Sequence, residues 1–176
     1  MNCEVCGSPI IIPSGNPNAN ILIIDEFPTE EDMAVGRAYA GEYSYILRSE
    51  FAKAGFDLLQ CRITTLWLHA PEKEGSGKRA DHSHSMWHKE QALKECMDRT
   101  AILCLGTDVT QFFLGYNSTE ISGIPMTSPI TSAPLVMGTR STQDVIGGTN
   151  GEYALGIRKF IQEYKKQLVK EMTQNA

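Results

Sequence analysis

Four short segments rich in apolar or β-branched residues constrain the fold of this chain more than any other feature of its sequence. Two of them, residues 21–24 and 101–105, are continuous apolar runs, which are typical of strands buried on both faces of a parallel sheet. The first run ends at Asp25 and Glu26, as a buried parallel strand ends at its functional edge. The four predicted strands are residues 21–24, 61–68, 101–105 and 134–137.

Helix-forming stretches alternate with these strands. The sequence predicts helices over residues 43–54, 87–99, 107–114 and 152–172, with Thr107 as the cap of the third. Alternating strands and helices imply a parallel sheet that is covered on both sides. We therefore expect a three-layer α/β/α fold with a central, mainly parallel four-stranded sheet. It forms one domain over residues 1–176, with a polar, His-rich insertion loop at about residues 72–88.

Length and composition limit the class of protein. The chain has 176 residues, which suits a single domain with one core. No apolar run reaches the length of a membrane span, and no basic region followed by an apolar stretch indicates a secretory signal. We therefore expect a cytoplasmic, intracellular protein, whose five cysteines are metal ligands or buried thiols rather than disulfides. The net charge of −5 argues against strong non-specific binding of nucleic acid, although a local basic groove is compatible with it.

The cysteines indicate a metal site. Cys3 and Cys6, with Gly7 after them, form a knuckle in which two thiolates lie close enough to bind one metal. The alternative is a pair of surface thiols at a loose terminus, which would be liable to oxidation. A metal needs two more ligands, for which Cys96 and His69 are the candidates; the competitors for the fourth place are His82, His84, His88 and Cys61. Residue types alone do not decide between zinc and an iron–sulfur cluster.

Three further segments follow a recognisable order. Residues 25–29 read Asp-Glu-Phe-Pro-Thr, residues 36–47 read Gly-Arg-Ala-Tyr-Ala-Gly-Glu-Tyr-Ser-Tyr-Ile-Leu, and residues 63–71 read Ile-Thr-Thr-Leu-Trp-Leu-His-Ala-Pro. With the N-terminal Cys-x-x-Cys, this order resembles family 4 of the uracil-DNA glycosylases, the iron–sulfur branch of that superfamily. The family's corresponding motifs are Gly-Glu-Ala-Pro-Gly, Gly-x-Pro-Phe-Val-Gly-x-Ala-Gly-x-Leu-Leu and, roughly, Ile-Thr-Asn-x-x-Lys-Cys-x-Pro.

The resemblance implies a uracil-DNA glycosylase-like fold, an iron–sulfur cofactor and DNA as a partner, single-stranded or with a flipped base. The family's [4Fe-4S] cluster would here be held by Cys3, Cys6, His69 and Cys96, with His69 in the place of the third cysteine. Imidazole replaces thiolate in some clusters. Zinc at the same ligands is the alternative cofactor, and a histidine of the insertion loop is the alternative to His69.

The resemblance also implies roles at the catalytic positions. Glu26 matches the motif acid, which would orient water or stabilise a sugar cation, and Tyr39 matches the aromatic residue that stacks on uracil. A solvated acid and a core or lid tyrosine are the structural alternatives for these two residues. Thr65 replaces the Asn that reads the uracil edge, and Arg140 lies where the motif His is missing. Expected catalytic residues are Glu26 and Arg140, and expected substrate-binding residues are Asp25, Phe27, Tyr39, Thr65 and Ser141.

Three functions stay open from the sequence. The first is a DNA glycosylase that excises uracil or another base by hydrolysing the N-glycosidic bond, with Arg140 as oxyanion donor or phosphate ligand. The second is a catalytically inactive relative that binds DNA or a replication or repair protein, which the acidic charge and the missing motif His favour. The third is a metal-stabilised module that binds a nucleotide or a protein. The small size and drifted motifs fit a viral or mobile-element origin, and we expect no membrane partner.

Overall fold

A mostly parallel sheet lies at the centre of the fold. The structure is a computed structural model that describes residues 1–70, 82–146 and 150–174. Within these residues the sheet has five strands: β1 (Ser14–Gly15), β2 (Ile21–Asp25), β3 (Arg62–Thr65), β4 (Ala101–Leu105) and β5 (Leu135–Thr139). Their order is β1-β3-β2-β4-β5; β1 runs antiparallel to β3, and every other neighbouring pair is parallel. The predicted α/β fold is confirmed, and the two-residue edge strand β1 is an addition to the predicted sheet.

Helices connect the strands. They are α1 (Glu30–Val35), α2 (Tyr43–Lys53), α3 (His82–Glu95), α4 (Thr107–Leu114), α5 (Thr142–Ile146) and α6 (Asn150–Gln174). The short helices α1 and α5 were not predicted. Helix α1 begins at a capping box, because Thr29 Oγ1 accepts the Asp32 N–H while the Asp32 carboxylate accepts the Thr29 N–H.

Helix α3 begins earlier than the sequence predicts. Its first residue is His82, whereas the predicted start was residue 87, so the end of the predicted insertion loop is helical. The first part of that loop, residues 72–81, lies outside the described residues. No described helix combines the length and the apolar character that a membrane crossing requires.

Both faces of the sheet are covered by helices. Ile23 belongs to a buried apolar cluster that also contains Phe51 of α2 and Phe160 of α6. Leu22, the preceding residue, belongs to the cluster on the other face, which contains Phe113 of α4 and residues of α3. Successive residues of a strand point to opposite faces, so the fully apolar run of β2 serves both layers.

The carboxyl ends of the parallel strands meet at one edge of the sheet. Asp25, the last residue of β2, pairs with Thr65, the last residue of β3, and Leu105 of β4 pairs with Thr139 of β5. The residues that follow these strands are therefore brought to the same edge. In open α/β sheets, ligands bind at this edge.

Helix α6 offers a direct test of the assigned core. Ile157 is fully buried, whereas Leu155 on the same helix is 51 % exposed. Because Ile157→Ala removes buried methyl groups and leaves a cavity, we expect it to lower the free energy of unfolding by about 2–5 kcal/mol. The matched control, Leu155→Ala, should change it by less than about 0.5 kcal/mol. Urea denaturation measures both, and equal losses would contradict the assigned burial.

Candidate functional site

The carboxyl group of Asp25 is buried and accepts hydrogen bonds from three segments of the chain. Ser141 Oγ donates to its Oδ1 over 2.8 Å, and the Glu26 N–H donates to the same oxygen over 2.8 Å. The hydroxyl of Tyr39 donates to Oδ2. Burial raises the pKa of Asp25, and these hydrogen bonds offset part of the rise. Asp25 therefore links the end of β2 to the loop before α2 and to the loop after β5.

Two more hydroxyl groups extend this network into the core. Thr142 Oγ1 lies within hydrogen-bond distance of the Tyr39 hydroxyl, and 3.0 Å from Tyr153 Oη. Burial raises the pKa of both tyrosines above the ordinary value, so both stay protonated at neutral pH. Thr142 and Tyr153 were not predicted as site residues, because a hydroxyl side chain carries no local sign of a distant hydrogen-bond partner.

Tyr39 is held by its backbone as well as by its hydroxyl. Its φ is 54°, in the left-handed region that non-glycine residues seldom adopt. The ring is half-buried and packs against the cluster shared by α2 and α6. Its hydroxyl is committed to Asp25, so a contact of Tyr39 with a base would use the ring alone.

Glu26 reaches from the end of β2 to the first turn of α4. Its Oε1 accepts the backbone N–H of Asp108 over 2.7 Å, at the positive end of the helix. Gly106 is the N-cap residue of α4 and makes no side-chain cap, so the predicted cap by Thr107 is wrong and Glu26 supplies the acceptor instead. A Cβ on Gly106, whose φ is 97°, would lie 2.4 Å from Glu26 Cδ. Only glycine permits this approach.

The Glu26 carboxyl group ionises near neutral pH. Burial is the main cause and raises its pKa to about 7, with the Asp108 N–H acting in the opposite direction. The charges of Asp25, Asp108 and Asp144 contribute smaller parts of the same rise. A carboxyl group with a pKa near the working pH is suited to proton transfer, and such perturbed groups are concentrated at functional sites.

Thr65 lies beside the acidic residues but has no free hydroxyl hydrogen. Its side chain is fully buried, and its Oγ1 donates to the Trp67 carbonyl oxygen over 2.6 Å. The Trp67 ring lies nearly parallel to the Phe27 ring, with centroids 6.0 Å apart. Thr65 therefore supports the turn that places Trp67 next to Phe27.

Arg140 follows β5 at the same edge of the sheet. Its Nε donates to Glu152 Oε2 over 2.8 Å, in an ion pair whose acidic partner is 59 % exposed. Exposed pairs of this kind contribute only about 0–1 kcal/mol. The guanidinium group can thus exchange Glu152 for another anion at little cost.

A second group of side chains lies where the N-terminal knuckle meets the residues after β3 and the start of α3. The ligand atoms of Cys3, Cys6, His69 and His84 all lie within 4.8 Å of one another. Cys3 Sγ is 3.4 Å from His84 Nε2, and Cys6 Sγ is 3.4 Å from His69 Nε2. Thiolate sulfur and imidazole nitrogen are the ligands that zinc and other soft or borderline metals prefer, so this group could bind a metal.

The structure does not bring Cys96, the fourth predicted ligand, into this group. Cys96 lies in the core cluster on the α3 and α4 side of the sheet, and its Sγ donates to the Ala92 carbonyl oxygen over 3.2 Å. Burial raises the pKa of this thiol to about 12, whereas a metal-bound cysteine is deprotonated. His84 takes its place, because the early start of α3 brings His84 to the knuckle. The side chain of His82, another competitor, lies outside the described residues.

The chain was also compared with models of known protein families. The model described as the Uracil DNA glycosylase superfamily matches residues 12–165. The matched span includes the parallel sheet, Glu26 and the network around Asp25. It begins after Cys3 and Cys6, so the match by itself makes no statement about the knuckle.

The Asp25 network yields a stability test. Tyr39→Phe removes the hydroxyl that donates to the buried Asp25 carboxyl group, which leaves one oxygen without that donor. We expect a loss of about 1–3 kcal/mol in the free energy of unfolding. Tyr45→Phe is the matched control, because Tyr45 is 74 % exposed, and it should change the value by less than about 0.5 kcal/mol. An unaltered stability of Tyr39→Phe would show that this hydrogen bond does not support the fold.

Proposed function

We propose, because the chain belongs to the uracil DNA glycosylase superfamily, that it binds DNA and excises uracil or another base by hydrolysing the N-glycosidic bond. The observation that carries this proposal is Glu26. It stands at the ligand-binding edge of the sheet, in the position of the family's motif acid, and its pKa of about 7 suits proton transfer at neutral pH.

The proposed reaction uses water and needs no other reactant. The bond between the sugar C1′ and the base nitrogen breaks, and its electron pair leaves with the base. Water supplies a hydroxyl group to C1′ and a proton, which the Glu26 carboxylate accepts before it passes to the departing base. The same carboxylate faces the positive charge that develops on the sugar.

The target base must leave the DNA stack before this reaction, and aromatic rings commonly hold flipped bases. Phe27 follows Glu26 directly in the chain, and Tyr39 is hydrogen-bonded to Asp25 through its hydroxyl. The Phe27 ring is already paired with Trp67. We assign base contact to Phe27 and Tyr39, and assign to Asp25 and Ser141 the support of the pocket beneath them.

We expect the base preference of this chain to differ from that of family members that recognise uracil through the Asn side chain. Thr65 stands where the family has an Asn, and its hydroxyl is committed to the Trp67 carbonyl oxygen. It therefore lacks the donor that an Asn side chain presents to uracil, although its oxygen keeps acceptor lone pairs. Arg140 is assigned to the departing base or a phosphate, after exchange of its surface ion pair with Glu152.

A catalytically inactive glycosylase-fold subunit is the second candidate. It would bind DNA or a replication or repair protein, and one observation favours it: the Thr65 hydroxyl is committed to the main chain. A metal-stabilised module for a nucleotide or protein partner is the third. In all three, residues 1–176 form one domain that acts inside the cell, and a metal joins the knuckle to the body. The resemblance to family 4 implies a [4Fe-4S] cluster at that place, with zinc as the alternative.

The first experiment measures base release. The protein, produced in a host that lacks uracil-DNA glycosylase, is incubated with single-stranded oligonucleotides that contain uracil or another altered base, and abasic sites are counted. We expect release from at least one of them. Glu26→Gln keeps the size of the side chain but cannot accept a proton, so it should slow release by at least about 100-fold.

Glu171→Gln is the matched control, since Glu171 is an exposed residue near the end of α6, and its release rate should equal that of the parent chain. DNA bound without release would support the inactive subunit instead. No affinity for DNA would leave only the third candidate. Release that is unchanged in Glu26→Gln would remove Glu26 from the mechanism.

The pH dependence of release tests the same residue independently. The folded-state pKa of Glu26, about 7, lies above the ordinary value of 4.5, so the group is protonated below neutral pH. If the carboxylate form accepts the proton, the rate should rise about tenfold per pH unit below pH 7 and level off above it. A rate that is already level from pH 5 upward would contradict this role.

A further inference from the structure

The knuckle, the residues after β3 and the start of α3 enclose the four ligand atoms described above, and their spacing limits which metal they can hold. We propose that Cys3, Cys6, His69 and His84 bind a single tetrahedral zinc ion, in place of the [4Fe-4S] cluster that the family resemblance implies. The zinc site stands independently of base excision, because it rests on the ligand geometry alone.

The ligand atoms lie too close together for a cluster. A [4Fe-4S] cluster has eight atoms, and each iron takes its protein ligand on the outside. The four ligand atoms must therefore surround the whole cluster. Here they lie within 4.8 Å of one another, and the Nε2 atoms of His69 and His84 are 3.0 Å apart. The space between them does not admit eight atoms.

The same spacing suits one ion. In a tetrahedral zinc site with Zn–N of about 2.0–2.1 Å and Zn–S of about 2.3 Å, neighbouring ligand atoms lie roughly 3.3–3.8 Å apart. Two of the four sulfur-to-nitrogen distances, Cys3 to His84 and Cys6 to His69, are 3.4 Å. Two thiolates and two imidazoles also form one of the common ligand sets of structural zinc.

A hydrogen bond holds His69 in the tautomer that can bind a metal through Nε2. Its Nδ1 lies 2.9 Å from the Ala70 carbonyl oxygen, which can only accept, so Nδ1 carries the hydrogen. The lone pair of the neutral ring is then on Nε2, which is the atom that faces Cys6 and His84. A carbonyl that accepts from the other ring nitrogen is the usual support of a metal-bound histidine.

His88, one turn after His84, has the opposite tautomer. The Leu68 N–H donates to its Nδ1 over 3.2 Å, so the lone pair of the neutral ring is occupied and Nε2 carries the hydrogen. That nitrogen cannot bind a metal in this state. We therefore assign His88 to the support of the site. Its Nε2 lies 3.2 Å from Nε2 of His69 and 3.1 Å from Nε2 of His84, so without a metal it donates to one of them.

The knuckle is already shaped to present its two sulfur atoms. The Gly7 N–H donates to the Cys3 carbonyl oxygen over 2.9 Å, and the Cys3 N–H donates to the Ser8 carbonyl oxygen over 2.8 Å. The Ile11 N–H donates to the carbonyl oxygen of Leu68, the residue before His69, over 2.7 Å. A bound ion would close this segment onto the body of the fold.

Metal analysis of the purified protein tests the proposal. Cells are grown with both iron and zinc, and the protein is purified anaerobically without chelators, so that an oxygen-sensitive cluster would survive. We expect about one zinc ion per chain, no acid-labile sulfide and no brown iron–sulfur absorption. Roughly four iron and four sulfide per chain would overturn the proposal, as would protein without metal.

Variants test the ligands. His84→Ala should reduce the zinc content at least about tenfold, whereas Cys96→Ala, which alters the cysteine in the core, should keep about one zinc per chain. His84→Cys supplies a thiolate at the same place and should retain zinc, which guards against a variant that merely fails to fold. Replacement of zinc by Co²⁺ should give the visible absorption of tetrahedral, thiolate-bound cobalt. Full zinc content in His84→Ala, or its loss in Cys96→Ala, would refute the assignment.

Discussion

A buried carboxyl group at the end of β2 organises the edge of the sheet on which the proposed function depends. Burying a carboxyl group is costly unless donors surround it, and Asp25 draws these donors from Ser141, from Tyr39 and from the Glu26 amide. The same amide hydrogen bond fixes the backbone from which Glu26 reaches the first turn of α4. The position of Glu26 therefore depends on the integrity of the network around Asp25.

Trp67 connects the edge of the sheet at Asp25 and Glu26 to the group of possible metal ligands. The Trp67 N–H donates to the Glu26 carbonyl oxygen over 3.0 Å, and its ring lies parallel to that of Phe27. The same ring packs against His88, with centroids 5.0 Å apart. A change in the metal-ligand group would thus reach the aromatic side of the proposed pocket, which gives a structural metal a route to influence base binding without taking part in the reaction.

Local signals in the sequence predicted the strands and most helices, because the apolar runs of β2 and β4 are buried on both faces. The choice among possible metal ligands depends on distant contacts that residue type does not reveal. Cys96 and His84 are both plausible from residue type, and only the start of α3 at His82 and the burial of Cys96 separate them. Local sequence patterns also did not pair Asp25 with the hydroxyl groups that donate to it. Ser141, for example, lies 116 residues from Asp25 in the sequence.

Burial raises the pKa of Asp25, which is buried, and of Glu26, which is half-buried, and the proposed chemistry depends on this displacement. Titration of their side-chain carboxyl carbons by ¹³C NMR tests it most directly, with Asp25→Asn and Glu26→Gln used to assign the two signals. We expect Glu26 to titrate near pH 7 and Asp25 to have a pKa above the ordinary value of an aspartate. Titration of both groups near pH 4, as in an unfolded chain, would contradict it.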